Sequence, residues 1–351
     1  DRGNIFHNAL ETLYHKMTDE GLTWRTVRED QLQSLGEASF DEESGSRYRE
    51  DVFGQDHRSA YMLRRMKRVF LKTISYMHDQ MLVGDFDQIA AEATFDSEPH
   101  DPGTFTSPLT TIKLAGKKQI NLRGRIDRID ACEINGTRYI KILDYKSSRK
   151  DLDLNKVYYG LELQLFTYLA IAESYPGGPG ESKPAALLFQ PIDEKQQKWK
   201  PQFEDPDVLD KETIKAVRPE GYFAEDMYLH LDENLGEESY ESVAIHANTT
   251  KDGWLGTRAK DMSRDDMEEV IKYTRAWIKD AAKTMYRGDI HARSYLYKQE
   301  NGCTYCPYAG VCGIEPRTRE DMTRELTSRE DWDVINAMAV GEEDGFKSEE
   351  E

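Results

Sequence analysis

The sequence is poor in cysteine, and it lacks features that mark several large protein classes. It has four cysteines among 351 residues, and three of them fall within ten positions near the end. This clustering suits a reducing compartment and a metal centre better than a disulfide framework. No apolar run approaches the ~18–20 residues that a membrane helix needs, and no charged-then-apolar signal segment follows Asp1. We therefore expect a soluble, cytoplasmic protein without a membrane partner. Because the chain opens without Met on a helical pattern, we expect a fragment of a longer polypeptide.

Two further shortages concern nucleotides and nucleic acids. No Gly-x4-Gly-Lys-Ser/Thr loop occurs, which excludes a P-loop helicase motor. Basic residues are also fewer than acidic ones, since 47 Lys and Arg against 66 Asp and Glu give a formal net charge of −19. A simple nucleic-acid binder should instead be basic. Many of the acidic residues lie in segments that we expect to be solvated or disordered (41–43, 232–241 and 341–351).

Basic residues are concentrated elsewhere, so a basic groove within an acidic body can still attract phosphates. One set surrounds the central strands and a second lies on one helix: Lys117, Lys118, Arg123, Arg125, Arg128, Arg138, Lys141, Arg149 and Lys150, then Arg64, Arg65, Lys67, Arg68 and Lys72.

The most informative stretch is a predicted hairpin. Residues 120–130 and 139–145 have strand patterns, and Asn135-Gly136 between them is a strong two-residue turn signal. Alternate side chains of a strand share a face, so Asp144 and Lys146 point the same way, and pairing across the hairpin brings Asp127 next to Asp144. Two carboxylates and a lysine would suit a divalent-metal site for phosphodiester hydrolysis. The alternative is a surface hairpin with an ordinary Asp–Lys ion pair.

The remaining patterns predict an α/β fold. A strand–helix–strand order after the hairpin implies a right-handed parallel crossover and a mixed sheet. Residues 18–55 are predicted to be a surface connection with one helix. Helical spacing covers 4–17, 58–82, 157–173 and 261–286, and strand patterns cover 88–95, 183–192 and part of 290–297.

Three motifs in this order carry a resemblance. Gly124-x-Ile126-Asp127, Asp144-Tyr145-Lys146-Ser147 and Gln164-x3-Tyr168 together resemble the PD-(D/E)XK nuclease superfamily, in its RecB-type branch, and most nearly the nuclease domains of AddB subunits of helicase–nuclease complexes. The resemblance implies a restriction-endonuclease-like mixed central sheet flanked by helices, with helical insertions. It further implies a nuclease domain over 1–316, with core motifs in 88–192, a helical insertion at about 18–84 and a cysteine loop at 303–312, followed by an acidic tail over 317–351.

The resemblance also implies roles for site residues. Gly3-Asn4-Ile5-Phe6-His7 is similar to the motif whose histidine is a metal ligand, although the apolar neighbours alone would make His7 a hydrogen-bonded core residue. The implied ligands of Mg²⁺ or Mn²⁺ are His7, Asp127, Asp144 and the main-chain carbonyl of Tyr145. The imidazole favours Mn²⁺ somewhat.

The implied catalytic set is Asp127, Asp144, Lys146, Gln164 and Tyr168. Gln164 alone would be interpreted as a satisfied core amide, whereas the motif favours a pair with Tyr168 that faces the site and orients Lys146 or the DNA backbone. For Glu92, a position near the metal site and a structural ion pair are both open.

The cysteines follow a metal-ligand spacing. Cys303-x2-Cys306-x5-Cys312 places soft thiolates in a tight loop, which suits zinc or an iron–sulfur cluster. The resemblance implies three ligands of a [4Fe–4S] cluster, with the fourth upstream of this chain, so we expect the cluster to be incomplete or absent here. Cys132, the only other cysteine, is the alternative ligand within the chain.

The implied function is that of a metal-dependent DNA exonuclease domain within a helicase–nuclease complex that acts in double-strand-break repair and recombination. Its partners would be DNA and an AddA-like subunit. Two alternatives stay open: a catalytically silent DNA-binding or scaffold module, and a related single-chain RecB-type exonuclease or CRISPR adaptation nuclease.

Overall fold

The structure is a computed structural model that describes residues 2–48, 57–114, 116–178, 182–192, 215–291, 294–313 and 323–340. The chain divides into two compact units. The first comprises Asp1–Thr111, Asn121–Leu152 and Tyr168–Arg264, and the second comprises Ile112–Ile120, Asp153–Thr167 and Asp265–Glu351. None of the described helices is long and apolar enough to cross a membrane.

Three helices come first along the described residues, five strands follow them, and helices and strands are mixed in the rest of the chain. The helices are α1 Arg2–Asp19, α2 Glu29–Tyr48, α3 His57–Leu82, α4 Leu154–Tyr158, α5 Gln164–Ala172, α6 Tyr228–Leu231, α7 Arg264–Arg287, α8 Ala309–Cys312 and α9 Asp331–Val340. The strands are β1 Asp87–Asp96, β2 Thr111–Lys113, β3 Gln119–Asn121, β4 Arg123–Ile134, β5 Thr137–Lys146, β6 Ser182–Pro191, β7 Glu220–Ala224, β8 Asp261–Met262, β9 Ser294–Tyr297, β10 Glu300–Asn301 and β11 Thr323–Leu326.

A six-stranded mixed sheet forms the centre of the first unit. Its strand order is β1-β4-β5-β6-β7-β8. β5 pairs with β6 and β7 with β8 in parallel, and the other neighbours are antiparallel. The parallel β5–β6 pair is the crossover that the sequence predicts, and the α/β fold class with a mixed central sheet is confirmed.

The turn between β4 and β5 has the predicted chemistry. Asn135 and Gly136 both have positive φ, at 53° and 79°, as a type I′ turn requires. Ile134 pairs with Thr137 directly across it. This tight turn fixes the register of the two strands that carry the site.

Helices α1, α2 and α3 build an apolar core that includes residues of the sheet. Phe6, Phe40 and Phe70 are buried and stack or tilt against one another, with ring centroids 5.7–6.4 Å apart. The same core contains Tyr145 at the end of β5. The single helix predicted within 18–55 is present as α2, but its burial of Phe40 shows that it is more than a surface connection.

The helix predicted over 157–173 is wrong, because the structure breaks it into α4 and α5. Gly160 between them has φ of +75°, which favours glycine. A Cβ on Gly160 would come within 2.2 Å of the Trp277 ring. The break is thus fixed by a close contact with a residue distant in sequence, which helical periodicity does not report.

The second unit contains a three-stranded sheet in the order β10-β9-β11. The Asn155 side chain joins α4 to the segment before α9, since its amide donates to the Arg329 carbonyl at 3.0 Å and accepts from the Arg329 N–H at 2.8 Å. β11 and α9 lie within 317–351, and α9 buries Val334 and Met338. Residues 341–351 lie outside the described residues.

Candidate functional site

Three side chains from three elements meet in the first unit. His7 comes from α1, Glu92 from β1 and Asp127 from β4, and the pairing of Ala91 with Arg128 and of Ala93 with Ile126 places Glu92 opposite Asp127. His7 Nδ1 lies 3.1 Å from Glu92 Oε1 and 3.5 Å from Asp127 Oδ1. Among the residues that the structure describes, these three form a group whose candidate ligand atoms all lie within 4.8 Å of one another.

The end of β5 borders this group. Arg128 pairs with Leu143, so the same register sets Asp127 opposite Asp144. The Tyr145 N–H donates to Asp127 Oδ2 at 2.7 Å, and the Tyr145 ring meets the His7 ring edge to face, with centroids 5.5 Å apart. Lys146 Nζ forms an ion pair with Asp144. Asp144 therefore lies beside the group of three but is not a member of it.

The charges of this site perturb its titratable groups. Burial lowers the pKa of His7, but hydrogen bonds to Asp127 and Glu92 and their negative charges outweigh burial, so the pKa rises from 6.5 to about 10. Burial raises the pKa of the Asp144 carboxyl, the charge of Asp127 raises it further, and Lys146 partly offsets both effects. Like charges held this close are characteristic of metal and catalytic sites.

Glu92 is held in a strained conformation. Its φ is +48° within a strand, which costs of the order of 1–3 kcal/mol for a residue with a side chain. Its carboxylate is buried, and Arg125 Nε lies 2.5 Å from Oε2. The surrounding structure thus holds a buried carboxylate in an unfavourable backbone geometry beside His7. Strain of this kind is concentrated at functional sites.

The donor set fits a small divalent ion. Carboxylate oxygens suit Mg²⁺ and Mn²⁺, and an imidazole nitrogen is also accepted by Mn²⁺. At metal–ligand distances of about 2.0–2.2 Å, two ligands of one ion lie roughly 3–4 Å apart. The 3.1 and 3.5 Å separations from His7 to Glu92 and to Asp127 agree with that spacing.

Comparison with known proteins bears directly on this arrangement. Residues 1–313 match the model of the PD-(D/E)XK nuclease superfamily. The chain belongs to the PD-(D/E)XK nuclease superfamily. The acidic residues and lysine in that name fit Asp127, Asp144 and Lys146 at the end of the β4–β5 hairpin.

Curated relatives of this PD-(D/E)XK chain share one description, the B-type subunit of an ATP-dependent helicase/deoxyribonuclease. The protein from Caldanaerobacter subterraneus subsp. tengcongensis is 31% identical over 344 residues, which are 95% of this chain and 28% of the relative. Those from Lysinibacillus sphaericus and Clostridioides difficile are 30% and 28% identical over 96% of this chain and 29% of each relative. The chain therefore spans less than a third of the length of these relatives.

The two residues of the Gln-x3-Tyr motif have different environments on α5. Gln164 is the first residue of the helix and is exposed, so the interpretation as an amide inside an apolar helix is wrong. Tyr168 contacts the Phe95 ring edge to face, with centroids 5.8 Å apart. Roles for Gln164 and Tyr168 in catalysis, and for the Tyr145 carbonyl in metal binding, stay predictions.

The cysteine loop is described within the second unit. None of the four cysteines forms a disulfide; Cys303 and Cys306 are partly exposed and Cys312 is exposed. The loop is wound into turns, with the Cys306 N–H bonded to the Cys303 carbonyl. In the described part of the chain, no three of these sulfurs lie within 4.8 Å of one another, as the ~3.8 Å sulfur spacing of a tetrahedral zinc site would require. Cys132 is buried in β4, and burial raises its thiol pKa to about 12.

The prediction of a basic groove is wrong for three of its residues. Arg128 and Asp130 are fully buried and paired, with Nε and Oδ1 2.6 Å apart, and Lys141 Nζ lies 3.0 Å from the same carboxylate. Arg138 is also buried and donates to the Tyr175 carbonyl. These cations stabilise the sheet and are not available to a phosphate. For Glu92 the structure shows both of the open alternatives, since its carboxylate lies beside His7 and also pairs with Arg125, a partner that the sequence did not indicate.

Proposed function

We propose that this chain is the nuclease domain of an AddB-type subunit and acts as an Mg²⁺- or Mn²⁺-dependent DNA exonuclease. The convergence of His7, Glu92 and Asp127 beside Asp144 and Lys146 carries the proposal. The relatives are named as helicase/deoxyribonuclease subunits, which supports DNA as the substrate and an AddA-like subunit as the partner. The biological setting would be double-strand-break repair and recombination.

Each side chain has a chemical task in this proposal. His7, Glu92 and Asp127 would hold the ion, with Asp144 beside them. The chemistry that a divalent ion would supply there is polarisation of the scissile phosphate and a lower pKa for the attacking water. Binding the ion requires His7 to lose its proton, because a protonated imidazole has no free lone pair.

Lys146 is the cation that can meet the phosphate. Its side chain is 29% exposed and pairs with the buried Asp144, so its ammonium is held at the metal site yet accessible to a substrate oxygen. It would stabilise the negative charge that develops on the phosphate. Removing one such preorganised electrostatic contact typically lowers kcat by about 10²–10³.

Incubation of the chain with single-stranded DNA and Mg²⁺ or Mn²⁺ tests this function. We expect Lys146→Ala and Asp144→Asn to lower the cleavage rate by about 10²–10³. Lys113→Ala and Asp101→Asn remove the same charges from exposed positions, and both should cleave like the wild type. Equal rates for wild type and active-site variants would contradict the proposal. DNA binding without any cleavage would instead support a catalytically silent scaffold.

We also propose that Cys303, Cys306 and Cys312 supply three ligands of a [4Fe–4S] cluster whose fourth ligand comes from outside the chain. Three unpaired, at least partly exposed thiols within ten residues support this. Visible absorbance of an anaerobically purified, longer parent protein tests it. Loss of the iron–sulfur band in Cys306→Ser is expected, and a parent protein without iron would exclude the cluster.

A further inference from the structure

A polar cavity lies in the first unit, and the three candidate metal ligands are not among its lining residues. Its volume is about 540 Å³, within the ~300–1,000 Å³ typical of ligand sites. Four cations and one carboxylate are among its lining residues, Lys215, Arg218, Lys251, Arg258 and Glu241. In a chain with a net charge of −19, this surplus of positive charge indicates an anionic ligand.

The cations differ in how far they are already neutralised. Lys215 and Arg218 lie 2.8 and 3.3 Å from Glu241, and Arg218 also donates to the Ser242 carbonyl at 2.8 Å. Lys251 and Arg258 are exposed, and neither has an ion pair among the residues that the structure describes. Within the described part of the chain, two cations of the cavity are thus paired with a carboxylate and two are not.

The sheet connects this cavity to the candidate metal site. Asp144 pairs with Phe189 and Phe189 pairs with Glu220 in neighbouring strands, so Glu220 lies two strand spacings from Asp144, about 10 Å. His246, which lines the cavity, lies with Nδ1 2.7 Å from Glu220.

Cationic residues also lie between the candidate metal site and the cavity. Arg149 forms an ion pair with Glu220. The ammonium groups of Lys146 and Lys150 lie over the Phe189 ring, 5.5 and 4.6 Å from its centroid. Basic side chains therefore continue along the sheet from the candidate metal site to the cavity, and two of them, Lys146 and Arg149, are each paired with a carboxylate.

An exposed aromatic residue belongs to the turn that carries one of the cavity's cations. Trp254 is 75% exposed, and its carbonyl accepts from the Thr250 N–H at 2.8 Å in the turn that carries Lys251. Proteins bind single strands by combining exposed aromatic rings, on which bases stack, with cations that contact the backbone.

We propose that this cavity and Trp254 form an accessory site for single-stranded nucleic acid, with backbone phosphates in the cavity and a base on the indole. The site would hold the substrate strand close to the candidate metal site, which the same sheet carries. The choice of DNA as the ligand rests on the proposed nuclease function.

Fluorescence anisotropy with a labelled oligothymidylate tests the site in EDTA, where no metal-dependent cleavage occurs. Lys251→Ala/Arg258→Ala should weaken binding and should reduce the slope of log K against log salt by up to about 1.4, since each phosphate contact contributes about 0.7. Trp254→Ala should weaken binding about fivefold or more with the salt slope unchanged, because stacking involves no ion release. Arg275→Ala/Lys279→Ala removes two exposed cations of α7 and should bind like the wild type.

The outcomes separate this inference from the proposed function. Wild-type affinity and slope in the cavity variants would overturn the inference even if the chain cleaves DNA. Loss of binding in those variants would support it even if the chain fails to cleave with Mn²⁺. The second measurement is competition by thymidine 5′-monophosphate for the labelled oligonucleotide. Competition as strong as that of the unlabelled oligonucleotide would overturn the strand assignment and indicate a nucleotide site. Unchanged thermal unfolding midpoints of the variants would show that the fold is intact.

Discussion

The protonation of His7 gives a prediction that separates a metal site from a structural ion pair. Asp127 and Glu92 raise the pKa of His7 to about 10 against the opposing effect of burial. A divalent ion would compete with that proton for the same nitrogen, because only a neutral imidazole binds metal. Metal binding should therefore release a proton at any pH well below 10.

The magnitude follows from the pKa. Between about pH 7 and pH 9 the neutral fraction of His7 rises about tenfold per pH unit, so the Mn²⁺ association constant should rise about 100-fold. Stability without metal has the opposite sign, because the folded state holds the proton more tightly than the unfolded state. This contribution to stability is complete below about pH 6.5 and is lost as the pH rises through about 10. The shift corresponds to roughly 4–5 kcal/mol at most.

Isothermal titration calorimetry measures both quantities. Titration with Mn²⁺ in two buffers of different ionisation enthalpy gives the affinity and the number of protons released. We expect about one proton per ion and an affinity slope near one per pH unit for the wild type. His7→Gln should bind weakly with a slope near zero, whereas His15→Gln, an exposed histidine on the same helix, should match the wild type. A wild-type affinity that does not change with pH would refute the reasoning.

Three further predictions concern single residues. Glu92→Gln should lower the Mn²⁺ affinity at least tenfold in the same calorimetric titration, because it removes one of two carboxylates next to His7. Gly160→Ala should lower the free energy of unfolding in urea by more than the ~1–2 kcal/mol expected from its positive φ, since its Cβ would also strike a ring. Gly177→Ala, with φ of +91° and open space, is the matched control and should lose only the backbone term. Arg128→Met should destabilise by about 3–5 kcal/mol, because Asp130 stays buried with less compensation, and Arg128→Met/Asp130→Asn should recover part of that loss.

Local chemistry determines the parts that the sequence predicts well. The Asn135-Gly136 turn sets the β4–β5 register through the backbone conformation of two residues. Asp127 and Asp144 follow from that register without knowledge of any other element. Helices α1 and α3 likewise follow from apolar spacing that each carries within itself.

Long-range contacts determine the parts that it does not predict. Gly160 breaks the expected helix because the Trp277 ring, from a distant helix, occupies the space of a side chain. Asp232 was expected in a solvated or disordered acidic segment, yet it is buried and accepts from the Ser242 hydroxyl at 2.6 Å. The composition gives the charge of such residues, but it does not give the residues that pack around them and bond to them.

The same distinction explains why a net charge of −19 does not conflict with the proposed nuclease function. Counting Arg128 and Lys141 as surface cations overestimates the basic groove, because both are neutralised inside the sheet. Counting every acidic residue as solvated overestimates repulsion, because Glu92 and Asp144 are buried beside cations. The relevant quantity is therefore the charge that remains accessible at each site.

Tyr145 connects the stability of the fold to the geometry of the site. Its ring lies in the apolar core of α1–α3 and against His7, while its N–H positions Asp127. The strain of Glu92 and the repulsion between Asp127 and Asp144 oppose folding locally, and burial of that core has to offset both. Helices α1, α2 and α3 thus do more than supply His7, because the packing that orders them also keeps Glu92 and Asp127 within 3.1 and 3.5 Å of its imidazole.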